Sequence, residues 1–172
     1  INFMKLDHFN GVHIRQLSLE ELARRGKPFF LKAGIDADEA TLLKIAPIIQ
    51  ERMVTLDESV ALAGFFFRPT VEPTVEDLIQ KGLNAAQCAE IAEKSYAVLA
   101  ALPEISPTVG EPEMRELVAE LGLKPAQVFG VLRVATTGQR VSPPLFESME
   151  IIGKDTVLAR IKAAAEILRA QG

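Results

Sequence analysis

The sequence predicts an all-α protein built as two packed helical subdomains. Helix-start signals recur along the chain, apolar residues return at helical spacing, and strand patterns are nearly absent. Ser18-Leu-Glu-Glu21 has the form of a capping box and opens the first helix. Asp36 or Asp38 starts the next, with Leu42, Leu43, Ile45, Ala46, Ile48 and Ile49 at helical positions. Pro47 lies inside that pattern and predicts a kink or break, because its ring removes an amide donor. Thr55-Leu-Asp-Glu58 reads as a second capping box, followed by a short helix through Val60, Leu62, Ala63 and Phe66.

Arg68-Pro69-Thr70 and Glu72-Pro73-Thr74 then form a Pro-punctuated connector, and a subdomain boundary is expected there. Val71 to Ile79 is the one segment expected to be extended. Asn84 with Gln87 caps a long helix to about Leu102, and Pro103, Pro107, Gly110 and Pro112 break the chain after it. Pro112 suits the first turn of a helix ending at Gly122. Pro125 opens and Gly138 closes the next. Ser142-Pro143 reads as an N-cap with Pro in the first helical position, Gly153 ends that short helix, and the last runs from about Asp155 to Ala170.

Composition limits the function classes. Apolar residues make up 48% and charged residues 24%, the balance of a folded globular domain rather than a disordered chain. No apolar run approaches the roughly 20 residues needed to span a bilayer. The lone cysteine, Cys88, excludes an internal disulfide and fits a reducing cytoplasm. The opening at Ile1 reads like the middle of a longer protein.

A net charge of −4 argues mildly against nucleic-acid binding, yet its distribution argues the other way. Leu121 to Phe146 holds no Asp or Glu while carrying Lys124, Arg133 and Arg140, and Arg24, Arg25 and Lys27 form a second basic group. Catalytic material is thin. His8, His13 and Cys88 are scattered without metal-ligand spacing, and no phosphate-cradling glycine loop occurs. Asp36, Asp38 and Glu39, like Glu111, Glu113 and Glu116, read as charged first turns that suit the helix dipole. Phe65-Phe66-Phe67 reads as core rather than as a stacking platform.

Two segments carry a family likeness. Lys5-Leu-Asp-His-Phe-Asn-Gly-Val-His-Ile-Arg15 resembles the K-L-x-W-x-N-x-x-Y-I-R stretch that follows the KMSKS-type loop of glutamyl-tRNA synthetases. His8 or Phe9 stands at the aromatic place and His13 at the tyrosine. Gly122 to Glu147 resembles that family's G-x-K-x-G-Q-x-x-x-P-L-R-x-A-x-T-G-x-x-x-[ST]-P-x-L-F-E signature, matching at Gln127, Leu132, Arg133, Ala135, Thr137, Gly138, Ser142, Pro143, Leu145 and Phe146. Ala126 and Val131 depart from it. Glu51-Arg-Met-Val-Thr-Leu56 resembles the family's E-R-x-x-T-L.

The resemblance implies the C-terminal anticodon-binding part of a bacterial-type glutamate–tRNA ligase. The fold would be an α-helix cage: residues 1–16 end the stem-contact region, 17–68 form the first helical anticodon-binding subdomain and 69–172 the second. The active site would lie outside this chain, which would hold no cofactor and be inactive alone; ATP and Mg²⁺ would serve the parent enzyme. The implied partners are tRNA(Glu) and, in some members, tRNA(Gln), with the protein a cytoplasmic monomer. The implied tRNA-binding residues are Arg52, Arg133, Ser142, Leu145, Gly138, Arg140 and Pro143. Arg133 and Ser142 match contacts to the third and second anticodon bases, and Arg52 and Leu145 match positions near the first. The materials suit the task, since unstacked loop bases are read by hydrogen bonds and by stacking. Arg133 brings a planar fork of donors, Gly138 permits close backbone approach, and Pro143-Pro144 stiffens the loop. The alternative class is an α-helical protein-interaction module or adaptor derived from a synthetase.

Overall fold

The computed structural model describes residues 13–171. All regular elements among them are helical. The chain divides between Arg68 and Pro69 into two compact units. Residues 1–12, including His8 and most of the Lys5–Arg15 motif, lie outside the described residues.

In the N-terminal unit, helix α1 (Leu19–Lys32) packs against α2 (Glu39–Ile49). Ser18 caps α1 through its Oγ, which accepts from the Glu21 amide at 3.1 Å. Asp38, not Asp36, caps α2 by accepting from the Thr41 amide at 2.9 Å. Pro47 does not break α2, which runs on to Ile49 and tightens into a 3-10 turn at Gln50–Arg52. Pro28 is likewise tolerated inside α1. The expected Thr55 capping box does not form: α3 (Glu58–Ala63) follows Asp57, and the Glu58 carboxylate accepts from the Val54 amide at 3.1 Å. Local pattern proposed Thr55 as the cap, but the chain is still turning there. A second 3-10 turn, Gly64–Phe67, seats the aromatic run in the core, with Phe65 fully buried and Phe67 edge-on to Phe30 at 5.2 Å. The core reading of these phenylalanines therefore fits.

The C-terminal unit begins with the connector and a short helix, α4 (Val75–Leu78), capped by Thr74. The expected extended segment is thus partly helical, because the cap and two acidic residues in one turn outweigh its β-branched content. Helix α5 (Ala85–Ala100) starts with a complete Asn84/Gln87 capping box. Then follow α6 (Gly110–Leu121), α7 (Pro125–Thr137), α8 (Leu145–Ile152) and α9 (Lys154–Arg169). Helix α9 lies along α5 and also packs on α7. Val157, Ile161, Ala164 and Leu168 from α9 join Cys88, Ile91, Ala92 and Leu99 from α5 in one buried cluster. Cys88 is inert packing, and burial pushes its thiol above the usual range.

Candidate nucleic-acid interface

Helix α7 and the loop after it carry most of the residues singled out by sequence. Gln127 fixes the helix start: its side-chain oxygen accepts from the Lys124 amide at 2.9 Å, and its Nε2 donates to the Lys81 carbonyl at 3.1 Å. The second bond ties the turn after α4 to α7. At the other end Gly138 adopts a left-handed conformation, φ 76°, and its amide closes the helix on Val134 at 2.8 Å. A Cβ there would stand 3.3 Å from Val71 of the connector.

Arg133 sits one turn before that end. Its Nη1 donates to Ser142 Oγ at 2.5 Å and to the Pro143 carbonyl at 3.0 Å. The Ser142 hydroxyl in turn donates to the same carbonyl at 2.8 Å. Ser142 is only 2% exposed and does not cap α8, whose first residue is Leu145 with Pro144 at the cap position. The N-cap expected there is not formed: Pro143 precedes Pro144 and is disfavoured in helical backbone, so the helix starts two residues later, and the serine pairs with Arg133. Pro143 and Leu145 are also buried. Thr137 closes the arrangement: its hydroxyl donates to the Arg133 carbonyl at 2.6 Å and accepts from the Gln139 amide at 3.1 Å. The threonine thus back-bonds into its own helix and fastens the start of the loop to it.

Beside this loop lies an open cleft of about 470 Å³, lined among others by Gln80, Lys81, Phe129, Gly130, Arg133 and Arg140. Three lining cations and a half-buried aromatic face one concavity. Gly130 gives it room: a Cβ there would come within 2.2 Å of Gln80 Oε1. Arg140 is exposed and ion-paired, with Nε 2.7 Å from Asp77 Oδ1 and Nη2 donating to the Glu76 carbonyl at 3.1 Å. Phe129 stands edge-on to Phe146 at 5.4 Å and has the Arg115 guanidinium over its ring. Lys81, Gln80, Phe129 and Gly130 carry no signal in the sequence. Residues 80 and 130 are 50 positions apart, and nothing in their local pattern announces the pairing.

Arg52 belongs to the other unit. It ends the 3-10 turn Gln50–Arg52, is exposed, and has no hydrogen-bond or ion-pair partner among the described residues. The turn is held by Gln50, whose Nε2 donates to the carbonyls of Ile14 at 3.0 Å and Leu17 at 2.8 Å. His13, at the tyrosine place of the N-terminal motif, is exposed.

This helical unit presents an arginine fork, flanking cations and an aromatic beside a buttressed loop. Residues 21–165 match the family model described as anticodon binding domain. The chain belongs to that family. Among curated proteins it is similar to the glutamate–tRNA ligase of Roseiflexus sp. (strain RS-1), 41% identical over 95% of this chain and 34% of that protein. The glutamate–tRNA ligase of Leifsonia xyli subsp. xyli is 39% identical over 91% of this chain and 34% of that protein. The chain therefore spans about a third of the length of the relatives it matches. Its fold is shared with a glutamate tRNA ligase from Elizabethkingia meningosepticum, solved in complex with its amino acid: TM-score 0.81, 22% identity, 94% of this chain and 32% of that one. A glutamate–tRNA synthetase from Elizabethkingia anophelis gives TM-score 0.76 at 21% identity, over 96% of this chain and 32% of that one.

Proposed function

We propose that this chain recognises the anticodon loop of tRNA(Glu) on behalf of a glutamate–tRNA ligase. The catalytic step, with its ATP and Mg²⁺, belongs to a part of the parent enzyme outside these 172 residues, and the natural setting is the cytoplasm. The observation that carries the reading is Arg133, held by Ser142 and the Pro143 carbonyl at the edge of a cleft that also presents Lys81, Phe129 and Arg140.

A guanidinium fixed in one rotamer loses little entropy when a base arrives, and its planar donors match base acceptors as an ammonium does not. Phe129 offers apolar surface to a base face, and Lys81 and Arg140 offer charge to flanking phosphates. Ser142, Pro143 and Leu145 serve largely by fixing the loop, with the Ser142 hydroxyl turned to Arg133 and Pro143. Gly138 lets the backbone turn where a base approaches. Arg52 acts separately, as an exposed cation suited to the first anticodon base, the position at which a tRNA(Gln) would be told apart.

The test is a binding titration of the chain against tRNA(Glu), tRNA(Gln) and tRNA(Glu) carrying swapped anticodon bases, each at several salt concentrations. The expected result is preference for the glutamate anticodon and log affinity falling linearly with log salt. Equal affinity for all anticodons, or affinity indifferent to salt, would turn the reading toward a protein-interaction role.

A further inference from the structure

Arg160 is 6% exposed, on a helix whose neighbouring residues Val157 and Ile161 are fully buried. A guanidinium in that position is costly unless its donors are met, and burial pushes its pKa down from the usual arginine value. Its Nη1 donates to the Thr136 carbonyl at 2.7 Å. That carbonyl belongs to the last turn of α7, where no following helical amide remains to donate to it. The three carbonyls of Leu132, Arg133 and Val134 have local partners: Leu132 takes the Thr136 hydroxyl at 2.8 Å, Arg133 the Thr137 hydroxyl at 2.6 Å, and Val134 the Gly138 amide at 2.8 Å. Arg160, by contrast, reaches Thr136 from a different helix.

The peptide it holds leads directly to Thr137. The Thr137 hydroxyl binds both the Arg133 carbonyl and the Gln139 amide, so a shift at Thr136 moves the base of the Arg133 side chain and the start of the loop together. Arg160 also lines a pocket of about 280 Å³ with Pro69, Val71 and Pro73, and Val71 is the residue seated against Gly138. The end of α7 is thus set from below by a buried cation, which the helix dipole favours at a C-terminus.

We infer that Arg160 is a positioning residue for anticodon discrimination, acting through the Thr136 carbonyl and Thr137 on the placement of Arg133. The inference rests on the reading of Arg133 as a base contact. Its own signature differs from that of a phosphate contact: a side chain this buried contributes nothing to the salt dependence of RNA binding.

The experiment uses the whole chain and four proteins: wild type, Arg160→Met, Arg160→Lys and Arg133→Ala. Each is titrated with a tRNA(Glu) transcript and with the same transcript altered at the third anticodon base, below the melting temperature of the variant. Arg160→Met keeps the length of the stem and removes the donors. It is expected to lower the ratio of the two affinities by about fivefold or more, as when a base contact is misplaced, with an unchanged slope of log affinity against log salt. Arg160→Lys, which restores one donor and the charge, is expected to give an intermediate ratio. If Arg160→Met does not fold, the lysine variant decides alone. A ratio equal to that of wild type in a folded variant overturns the inference, even where affinity for both transcripts falls in parallel. Arg133→Ala separates the two levels. A lowered ratio there with an unchanged one in the Arg160 variants defeats the positioning role only; an unchanged ratio in Arg133→Ala defeats the base-contact reading and the inference with it.

Discussion

Two arginines proposed to read the same RNA loop stand in opposite physical situations. Arg133, in the C-terminal unit, is half-buried and bonded to Ser142 and Pro143. Arg52, in the N-terminal unit, is exposed at the end of a 3-10 turn and has no partner among the described residues. On the proposed reading, the difference would let one residue type serve recognition by two routes. A fixed fork is part of the fold, so losing it damages both stability and discrimination. A free side chain retains about 2 kcal/mol of rotamer entropy, contributes little to stability, and gives up that freedom only when RNA binds.

The sharpest way to break this comparison is Arg133→Ala. It removes both Arg133 bonds and leaves the Ser142 hydroxyl and Pro143 carbonyl only each other, so the C-terminal unit is expected to lose about 1–3 kcal/mol. Urea denaturation measures it, and a midpoint equal to wild type would mean that Arg133 is no more built in than Arg52. Gly138→Ala comes next. The left-handed backbone and the nearness of Val71 together predict a loss of about 1–2 kcal/mol, with weakened RNA binding because the loop after α7 must shift.

Asp38→Ala probes the N-terminal unit without touching Arg52. Removing this cap is expected to cost about 1 kcal/mol while leaving the ranking of anticodon-swapped tRNAs untouched. Hydrogen bonds from the Thr41 hydroxyl, then from the Thr41 amide, hold the Asp38 carboxyl below its ordinary pKa. A lowered folded-state pKa means that the stabilisation is present above the unfolded aspartate value of about 4 and is lost as pH falls through the folded value. Acid titration of the melting temperature should therefore be less steep in Asp38→Ala than in wild type. The smallest stability effect is expected for Arg52→Gln, within about 0.5 kcal/mol of zero, so that calorimetry sees nothing. Its consequence should appear only in binding, as relaxed discrimination at the first anticodon base. A clear drop in melting temperature would show that Arg52 is structural after all.

Much of the helical frame is legible in the sequence. Ser18 and Asn84 cap helices, Gly122 and Gly138 end them in left-handed conformations, and Pro125 opens α7. These signals work because they act within three or four residues, the range over which sequence and local geometry coincide. Where local signals fail, a distant or competing partner intervenes. Thr55 loses its capping role to a chain still turning at Asp57. Ser142 does not cap, because the helix begins only after Pro144, and it bonds Arg133, nine residues earlier.

By itself, then, the sequence determined the all-helical class, most helix ends, the basic stretch around Arg133 and the family likeness of residues 122–147. Tertiary structure alone decided what those residues could do. It brought Lys81 and Gln80 against α7 to make the cleft, and bonded Arg140 to Asp77 across 63 positions. It also set Arg160 beneath the end of α7. The physical reason is range. Capping and periodicity are properties of one turn of chain, whereas a cleft, a buried cation and a buttressed loop exist only where segments far apart in sequence exclude water from the same place.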